Sequence, residues 1–202
     1  MTRSSISMSD KVFDLICGKI NESYPNACIL FIDEIKNQEL EDAYNEHKSN
    51  VINKHVEKLS KTSEPPIVKK RAKPIVKKIV KASPVLQTPA ELQVFHGTHA
   101  NNINSIIING FDPSKNRVSA YGIGSYFTKN PSYSFNYMKS ADINDISYMF
   151  VANIFIGKVK YNSSEDDGDT YVDNVRTPTI FCMPLKEQTL PKYLVAFHKN
   201  AV

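Results

Sequence analysis

The chain has 202 residues, of which 41% are hydrophobic, and it carries a formal net charge of +4 at pH 7. This length suits one domain with an appendage or two small domains, and the apolar content lies above the range of disordered chains. The three cysteines, Cys17, Cys28 and Cys182, are too few and too far apart to predict a disulfide framework, and without a Cys-x-x-Cys or Cys/His ligand spacing they predict no zinc site.

The first 60 residues are expected to be helical. The stretch SDKVFDLICGKI repeats its apolar residues at helical spacing, and Ser9 and Asp10 at its start are candidate N-caps. After Pro25 the chain begins apolar and becomes charged, which predicts a second helix. We therefore expect residues 1–60 to form a small helical segment of unknown role, with target recruitment, regulation and dimerisation all open.

The same N-terminal sequence lacks the apolar run of a signal peptide, and no stretch approaches the roughly 18 apolar residues that cross a membrane. Together with the few cysteines, these features favour an intracellular protein with no membrane partner. The nucleus and the cytoplasm are both compatible with the sequence.

Residues 61–90 differ in composition from both neighbours. They carry 8 Lys/Arg against 1 Asp/Glu, and the motif PIVKK occurs twice among several prolines. Proline interrupts helices and repeated lysine resists packing, so this segment is predicted to be a basic, flexible linker. Its lysines can contact polyanions or act as a nuclear-import signal, or the segment can be a solubilising tether. It holds no aromatic residue, so any contact with a nucleic acid should be independent of base sequence.

From residue 91 to residue 202 the pattern predicts a mixture of strands and helices. LQVFHGT is predicted to be a short strand that ends in a turn, and NNINSIIINGF a helix with asparagine caps that stops at Gly110. SYMFVANIFIGKVKY is predicted to be a long buried strand, and TPTIFCMP and PKYLVAFH two shorter ones, with the polar loop NSSEDDGDTYVDN before the first of them. Many strands with few helices indicate an α+β fold.

The stretch from Gly122 to Ser140, GIGSYFTKNPSYSFNYMKS, concentrates tyrosine and serine. Its Asn-Pro pair predicts the start of a helix, because asparagine caps and proline fits the first turn. Ser134 and Tyr137 share a face of that helix, and Tyr126 lies on the strand before the turn. Tyr126 and Tyr137 are therefore predicted to form two walls of a slot, with the Ser134 hydroxyl at its edge. Such a slot suits a flat aromatic ring that carries an amide.

Six motifs occur together in one order, namely VFHGT, INGF, AYGIGSYFT, SYSFNY, VDNVRTPTIF and PKYLVAF. In this order and spacing they resemble the catalytic domain of PARP-like ADP-ribosyltransferases, and the resemblance covers about residues 90–200. The chain looks closest to the members that transfer a single ADP-ribose, with a signature of the His-Tyr-Ile type. The resemblance implies an ADP-ribosyltransferase fold of two packed, mainly antiparallel sheets with few helices over residues 91–202.

The resemblance also implies a site for NAD, the donor substrate, and no metal. His96 matches the first signature residue, which hydrogen-bonds ribose hydroxyls, and Gly97 matches the residue whose backbone binds the nicotinamide amide. Glycine suits that role because no side chain keeps the ligand away. The other implied donor-binding residues are Thr98 on the adenosine side, Tyr121 at the border of the site, Tyr126 as the second signature residue, Ser134 at the carboxamide and Tyr137 stacked on nicotinamide. The loop 112–122 would cover the donor.

The third signature position departs from the polymerising members, which carry a glutamate there. Ile180 occupies it, and isoleucine can neither accept a hydrogen bond nor take a proton. With His96 and Tyr126 it completes the implied catalytic set, so we expect a mono-ADP-ribosyltransferase that does not elongate chains. The acceptor is open: a protein Glu, Asp, Ser or Cys, or a nucleic-acid end, would fit, and a protein is favoured.

Other features have plainer interpretations. The alternative function is a catalytically weak or inactive module that keeps the fold as a binding scaffold, which nicotinamide release from NAD would exclude. Tyr121, Tyr133 and Tyr148 are expected to be packing residues, although Tyr121 also borders the implied donor site. The acidic run 165–169 lacks the ligand spacing of a calcium loop, which favours a solvated loop over a metal site.

Overall fold

The structure is a computed structural model that describes residues 1–8, 10–25, 27–62, 89–116, 120–138, 146–161 and 169–198. Most of the predicted linker 61–90 lies outside these residues, as do residues 165–168 of the acidic run and 117–119 of the predicted donor loop. The described residues form nine strands and four α-helices. None of these four helices combines the length and apolar character needed to cross a membrane.

The N-terminal residues contain two helices and two strands. They are β1 (Thr2–Ser5), α1 (Lys11–Ser23), β2 (Cys28–Lys36) and α2 (Gln38–Thr62). Asp10 caps α1 as predicted, since its Oδ1 accepts a hydrogen bond from the Val12 N–H at 2.8 Å. The expectation of a purely helical segment over residues 1–60 is wrong, because the apolar stretch after Pro25 is the strand β2.

The remaining elements follow the predicted order of strands and helices. They are β3 (Ala90–Gly97), α3 (Ile103–Asn109), β4 (Ser125–Thr128), α4 (Pro131–Ser134), β5 (Ile146–Ile156), β6 (Val159–Lys160), β7 (Thr170–Val172), β8 (Ile180–Met183) and β9 (Thr189–His198). Helix α3 stops at Gly110 as predicted, where a φ of 77° favours glycine. Helix α4 is a single turn that continues as a 3-10 turn, Phe135–Tyr137.

Strand β2 forms because its partner lies at the other end of the chain. It pairs antiparallel with β9, for example Ile32 with Val195, and with β1 on its other side. A short apolar run cannot be assigned to helix or strand by periodicity alone, and here the β-branched Ile29, Ile32 and Ile35 suit the strand. The N-terminal residues thus belong to the same sheet as β9, and the predicted division at residues 60 and 90 does not separate two folded units.

All nine described strands lie in one hydrogen-bonded sheet, in the order β1-β2-β9-β5-β3-β4-β8-β7-β6. The pairs are antiparallel except β6 with β7. The α+β class is confirmed, but the expected two sheets are joined into one, because β3 and β4 meet in a single register pair, Phe95 with Thr128. This pair divides the sheet into a larger half, β1-β2-β9-β5-β3, and a smaller half, β4-β8-β7-β6.

Two of the three clusters of buried side chains among the described residues lie on opposite faces of the central strand β5. Phe150 lies in the first cluster with the isoleucines of α3 and with Phe181 from the smaller half of the sheet. Met149 lies in the second cluster with Ile16 and Ile20 of α1. Because successive strand residues point to opposite faces, α1 and α3 cover the two faces of the sheet. The first cluster packs the two halves of the sheet over a shared core.

Helix α2 is held by a polar network at the start of β3. Glu91 accepts hydrogen bonds from the Tyr44 hydroxyl at 2.9 Å and the Asn153 amide at 3.1 Å, and it forms an ion pair with Lys48. Tyr44 is buried, so its hydroxyl needs this partner. The network ties α2 to the strand whose far end carries His96 and Gly97.

Candidate active site

The ends of two neighbouring strands bring together the first two predicted signature residues. His96 lies near the end of β3 and Tyr126 lies in β4, and His96 Nδ1 is 2.7 Å from the carbonyl oxygen of Tyr126. A carbonyl oxygen only accepts, so Nδ1 carries the proton and donates it. In the neutral ring Nε2 is then an unprotonated acceptor, which suits a ligand hydroxyl.

Aromatic rings surround the imidazole of His96. The ring centroids of Phe111 and Phe127 lie 4.9 Å and 5.3 Å from it. Burial lowers the pKa of His96, and the hydrogen bond to the Tyr126 carbonyl opposes that shift only in part. The ring is therefore neutral at pH 7 and keeps its acceptor nitrogen.

Gly97 allows helix α4 to approach the end of β3. A Cβ atom built on Gly97 would lie 2.0 Å from the carbonyl oxygen of Ser134 and 3.0 Å from Met138 Cγ. Only glycine is compatible with the first distance, because any side chain would overlap the carbonyl oxygen. Ser134 is 2% exposed, and this approach places it against Gly97. The structure thus brings together two residues that are predicted to bind the same amide.

Helix α4 begins where the Asn-Pro pair predicts it. Asn130 Oδ1 accepts a hydrogen bond from the Ser132 N–H at 3.0 Å, and Pro131 takes the first helical position. A helix of one turn is not stable alone, so its position depends on packing. The ring of Phe135, directly after α4, lies 4.4 Å from the ring of Tyr24, directly after α1. The N-terminal segment therefore supports the site.

The Tyr126 hydroxyl is fixed by two backbone groups of the turn before β4. It accepts a hydrogen bond from the Tyr121 N–H at 2.9 Å and donates one to the Gly122 carbonyl at 2.8 Å. Burial raises the pKa of Tyr126 to about 12, so the phenol is neutral at pH 7. The ring of Tyr121 lies 6.3 Å from that of Tyr126, with 33° between the planes. Tyr121 is thus a direct neighbour of the second predicted signature residue.

Tyr137 lies at the surface, 56% exposed, and its hydroxyl donates a hydrogen bond to that of Tyr133 at 3.1 Å. The two ring centroids are 5.6 Å apart. Tyr133 is itself 39% exposed, so it packs against Tyr137 at the surface and not in the core. Tyr126 is paired with Tyr121 and Tyr137 with Tyr133, so the two expected walls of the slot belong to separate ring pairs. A slot between Tyr126 and Tyr137 stays a prediction.

Thr98 is buried in the segment that leads from β3 into α3. Its Oγ1 accepts a hydrogen bond from Asn102 Nδ2 at 3.1 Å. Asn102 occupies the N-cap position of α3 as expected, but its side chain makes no capping bond there. His99 caps the preceding 3-10 turn, Ala100–Asn102, by accepting from the Asn101 N–H at 3.2 Å. The contact of Thr98 with the adenosine side of a donor stays a prediction.

Ile180 is the first residue of β8 and pairs with Thr128, two residues after Tyr126 in β4. It is 9% exposed. The third predicted signature residue thus lies on the strand next to that of Tyr126. Its side chain brings neither a charge nor a hydrogen-bonding group to this position.

A carboxylate that the sequence analysis did not single out lies beside Ile180. Asp173 follows β7, and its Oδ1 accepts hydrogen bonds from the Ile180 N–H at 3.0 Å and the Thr179 N–H at 2.9 Å. Its Oδ2 accepts one from the Thr179 hydroxyl at 2.6 Å. Burial raises the pKa of Asp173, but these hydrogen bonds outweigh burial and leave the pKa lowered. In the sequence, Asp173 was visible only as part of the motif VDNVRTPTIF, where an Asp-Asn pair in a loop is typical of side-chain-capped turns.

Comparison with known proteins identifies a family and several proteins that are similar to this chain in sequence. The model of the family described as "Poly(ADP-ribose) polymerase catalytic domain" matches residues 13–171. The chain is 27% identical over 208 residues to the human protein mono-ADP-ribosyltransferase PARP14 and 32% identical over 125 residues to the mouse protein mono-ADP-ribosyltransferase PARP12. It is 30% identical over 118 residues to a probable poly(ADP-ribose) polymerase of Dictyostelium discoideum.

These alignments cover very different shares of the two partners. They include 95%, 55% and 55% of this chain but 10%, 17% and 35% of the human, mouse and Dictyostelium proteins. The chain thus spans from a tenth to about a third of the length of these relatives. The family match begins inside α1 and includes β2 and α2, in agreement with these N-terminal elements as part of the fold.

Proposed function

The chain belongs to the family of poly(ADP-ribose) polymerase catalytic domains, and on this premise we propose that it is an NAD-dependent mono-ADP-ribosyltransferase. It transfers one ADP-ribose from NAD to a macromolecular acceptor and releases nicotinamide. One observation carries the proposal: Gly97 and Ser134 lie in direct contact, next to the linked pair His96 and Tyr126. The names of the human and mouse relatives support the single transfer.

The residues of the site fit NAD in their hydrogen-bonding groups and in their aromatic rings. NAD supplies a glycosidic bond to a cationic nicotinamide group, which leaves as a neutral molecule. In our proposal His96 Nε2 accepts a hydrogen bond from a ribose hydroxyl, because Nδ1 is engaged by the Tyr126 carbonyl. The backbone of Gly97 and the hydroxyl of Ser134 bind the carboxamide, and the exposed ring of Tyr137 covers the pyridine. The chain's contribution is mainly orientation of the bond that breaks.

The transfer stops after one unit because of the third signature position. Elongation needs a group that activates a hydroxyl of the attached ADP-ribose, and Ile180 can neither accept a hydrogen bond nor take a proton. A carboxylate of a protein acceptor needs no such help, since it is already a nucleophile at neutral pH. We therefore propose a protein Glu or Asp as the acceptor, with Ser, Cys or a nucleic-acid end as the other outcomes of the test.

The test combines nicotinamide release with the mass of the product. The protein is incubated with NAD and candidate acceptors, free nicotinamide is measured by chromatography, and the modified acceptor is weighed by mass spectrometry. We expect a mass increase of one ADP-ribose. Ser134→Ala should raise the KM for NAD, whereas Ser49→Ala, an exposed serine of α2, should leave it unchanged. A protein that binds NAD but releases no nicotinamide is the scaffold module instead.

The basic segment 61–90 enters the proposal only as a contact for polyanions. Its excess of 8 Lys/Arg over 1 Asp/Glu should make such binding fall steeply with salt. A deletion of residues 63–84, compared with the intact chain in binding to an anionic polymer at several salt concentrations, measures that contribution. An unchanged salt dependence assigns the segment to a tether.

A further inference from the structure

The site described above lacks a charge at its third signature position, yet a carboxylate lies directly behind that position. Asp173 is bonded through Oδ1 to the N–H of Ile180, the residue that occupies the position. The role of this carboxylate rests on the proposed function, because it concerns the charge that develops when nicotinamide leaves.

Asp173 keeps its full negative charge in this environment. Its oxygens accept hydrogen bonds from the Thr179 N–H, the Thr179 hydroxyl and the Ile180 N–H, at 2.9, 2.6 and 3.0 Å. All three are neutral donors, which stabilise the charged form without cancelling its charge. The lowered pKa of Asp173 agrees with this arrangement.

The charge lies at the start of β8, the strand that pairs with β4, which carries Tyr126. Ile180 opens β8 opposite Thr128 of β4, and the end of β4 is tied to the same place by a hydrogen bond from the Lys129 N–H to the Thr179 carbonyl at 2.9 Å. Asp173 is also among the groups that raise the pKa of Tyr121, after burial. The hydrogen-bonded strands β4 and β8 therefore hold the carboxylate at a fixed position relative to Tyr126.

We propose that Asp173 supplies the fixed negative charge of the site and stabilises the positive charge that develops on the nicotinamide ribose. The C1′–N bond breaks with its electron pair moving to the pyridinium nitrogen, and a nucleophilic atom of the acceptor bonds to C1′. Asp173 forms no bond and takes no proton in this step. It acts through its field, held in place by the backbone of Thr179 and Ile180.

The structure allows charge and position to be separated. Both backbone N–H groups donate to the same oxygen of Asp173, Oδ1. In Asp173→Asn the amide oxygen can keep these two hydrogen bonds. The amide nitrogen then replaces Oδ2 and can donate to the Thr179 hydroxyl, which can also accept. Thr179→Val does the opposite: it removes the bond to Oδ2 and keeps the charge. Asp10→Asn is a matched control, because Asp10 caps the Val12 N–H far along the sequence from the site.

We expect Asp173→Asn to lower the kcat of nicotinamide release by about tenfold or more, while the KM for NAD stays within about twofold and the Tm is unchanged. Thr179→Val and Asp10→Asn should keep kcat within about threefold of the wild type. An Asp173→Asn variant as active as the wild type overturns the proposal. An equal loss of kcat in Thr179→Val and Asp173→Asn also overturns the proposal, because the position of the Asp173 side chain, and not its charge, would then determine the rate.

A binding measurement tests the charge without catalysis. A hydroxylated pyrrolidine that mimics ribose and is protonated at pH 7 should bind Asp173→Asn about tenfold more weakly than the wild type, whereas neutral nicotinamide should bind both equally. If the cation binds both proteins alike, the proposal is overturned. If the wild type releases no nicotinamide at all, the proposed function fails, and this binding comparison alone decides on Asp173.

Discussion

Replacement of Gly97 by alanine should damage the donor site more than the fold. The new Cβ would lie 2.0 Å from the Ser134 carbonyl oxygen, whereas Cβ atoms essentially never approach below 3.0 Å, so β3 and α4 must separate by about 1 Å. Overpacking of this kind costs about 1–3 kcal/mol of stability. A misplacement of about 1 Å costs about a hundredfold in rate. We therefore expect a folded protein that releases nicotinamide about a hundredfold more slowly.

The assay pairs nicotinamide release with the Tm from scanning calorimetry, which should fall by about 2–12 °C. Gly18→Ala is the control, because a Cβ on Gly18 in α1 would meet nothing within 4 Å. That change should stabilise the protein by up to about 1 kcal/mol and leave activity unchanged. If Gly97→Ala releases nicotinamide at the wild-type rate, the close approach of α4 to β3 is not needed and the reasoning is refuted.

Three further changes test other parts of the site. Ile180→Glu should yield acceptors with more than one ADP-ribose by mass spectrometry, and a product still limited to one unit contradicts the role of this position. Burial lowers the pKa of His96 in the folded state. Below about pH 6.5 the unfolded state therefore binds a proton at this histidine that the folded state does not bind. The free energy of unfolding should then decrease as the pH falls from about 7 to about 5. His96→Asn, whose amide can still donate to the Tyr126 carbonyl, should flatten that profile in chemical denaturation. Tyr24→Ala should raise the KM for NAD several-fold, Tyr24→Phe should restore it, and the exposed Leu15→Ala should have no effect.

Elements whose signals are local could be predicted from the sequence. Asp10 and the Asn-Pro pair mark the starts of α1 and α4, and Gly110 marks the end of α3, because each satisfies the backbone of its own helix end. The strand β2 could not be predicted in the same way, since its partner β9 lies more than 150 residues away in the chain. A short apolar run carries no record of such a partner.

The candidate active site likewise combines features that have a local sequence signal with features that depend on long-range contacts. The chemical types at His96, Gly97 and Ser134 are visible in the sequence, and the resemblance to a family supplied their grouping. Their contacts are long-range, so spacing alone could not supply the bond from His96 to the Tyr126 carbonyl or the approach of Ser134 to Gly97. Asp173 lies in the motif VDNVRTPTIF, but it was missed because no periodicity in that motif predicts its hydrogen bond to the Ile180 N–H seven residues later.

The single register pair between β3 and β4 has a mechanical consequence. Fewer residues pair between β3 and β4 than between any other two neighbouring strands of the described sheet. His96 lies on β3, on one side of this junction, and Tyr126 lies on β4, on the other side. A ligand that contacts both β3 and β4 joins the two halves of the sheet. Its binding free energy then adds to the free energy needed to separate the halves. Amide hydrogen exchange in β4 should therefore slow more than exchange in β9 when NAD is bound, because only the β3–β4 junction gains contacts with the ligand.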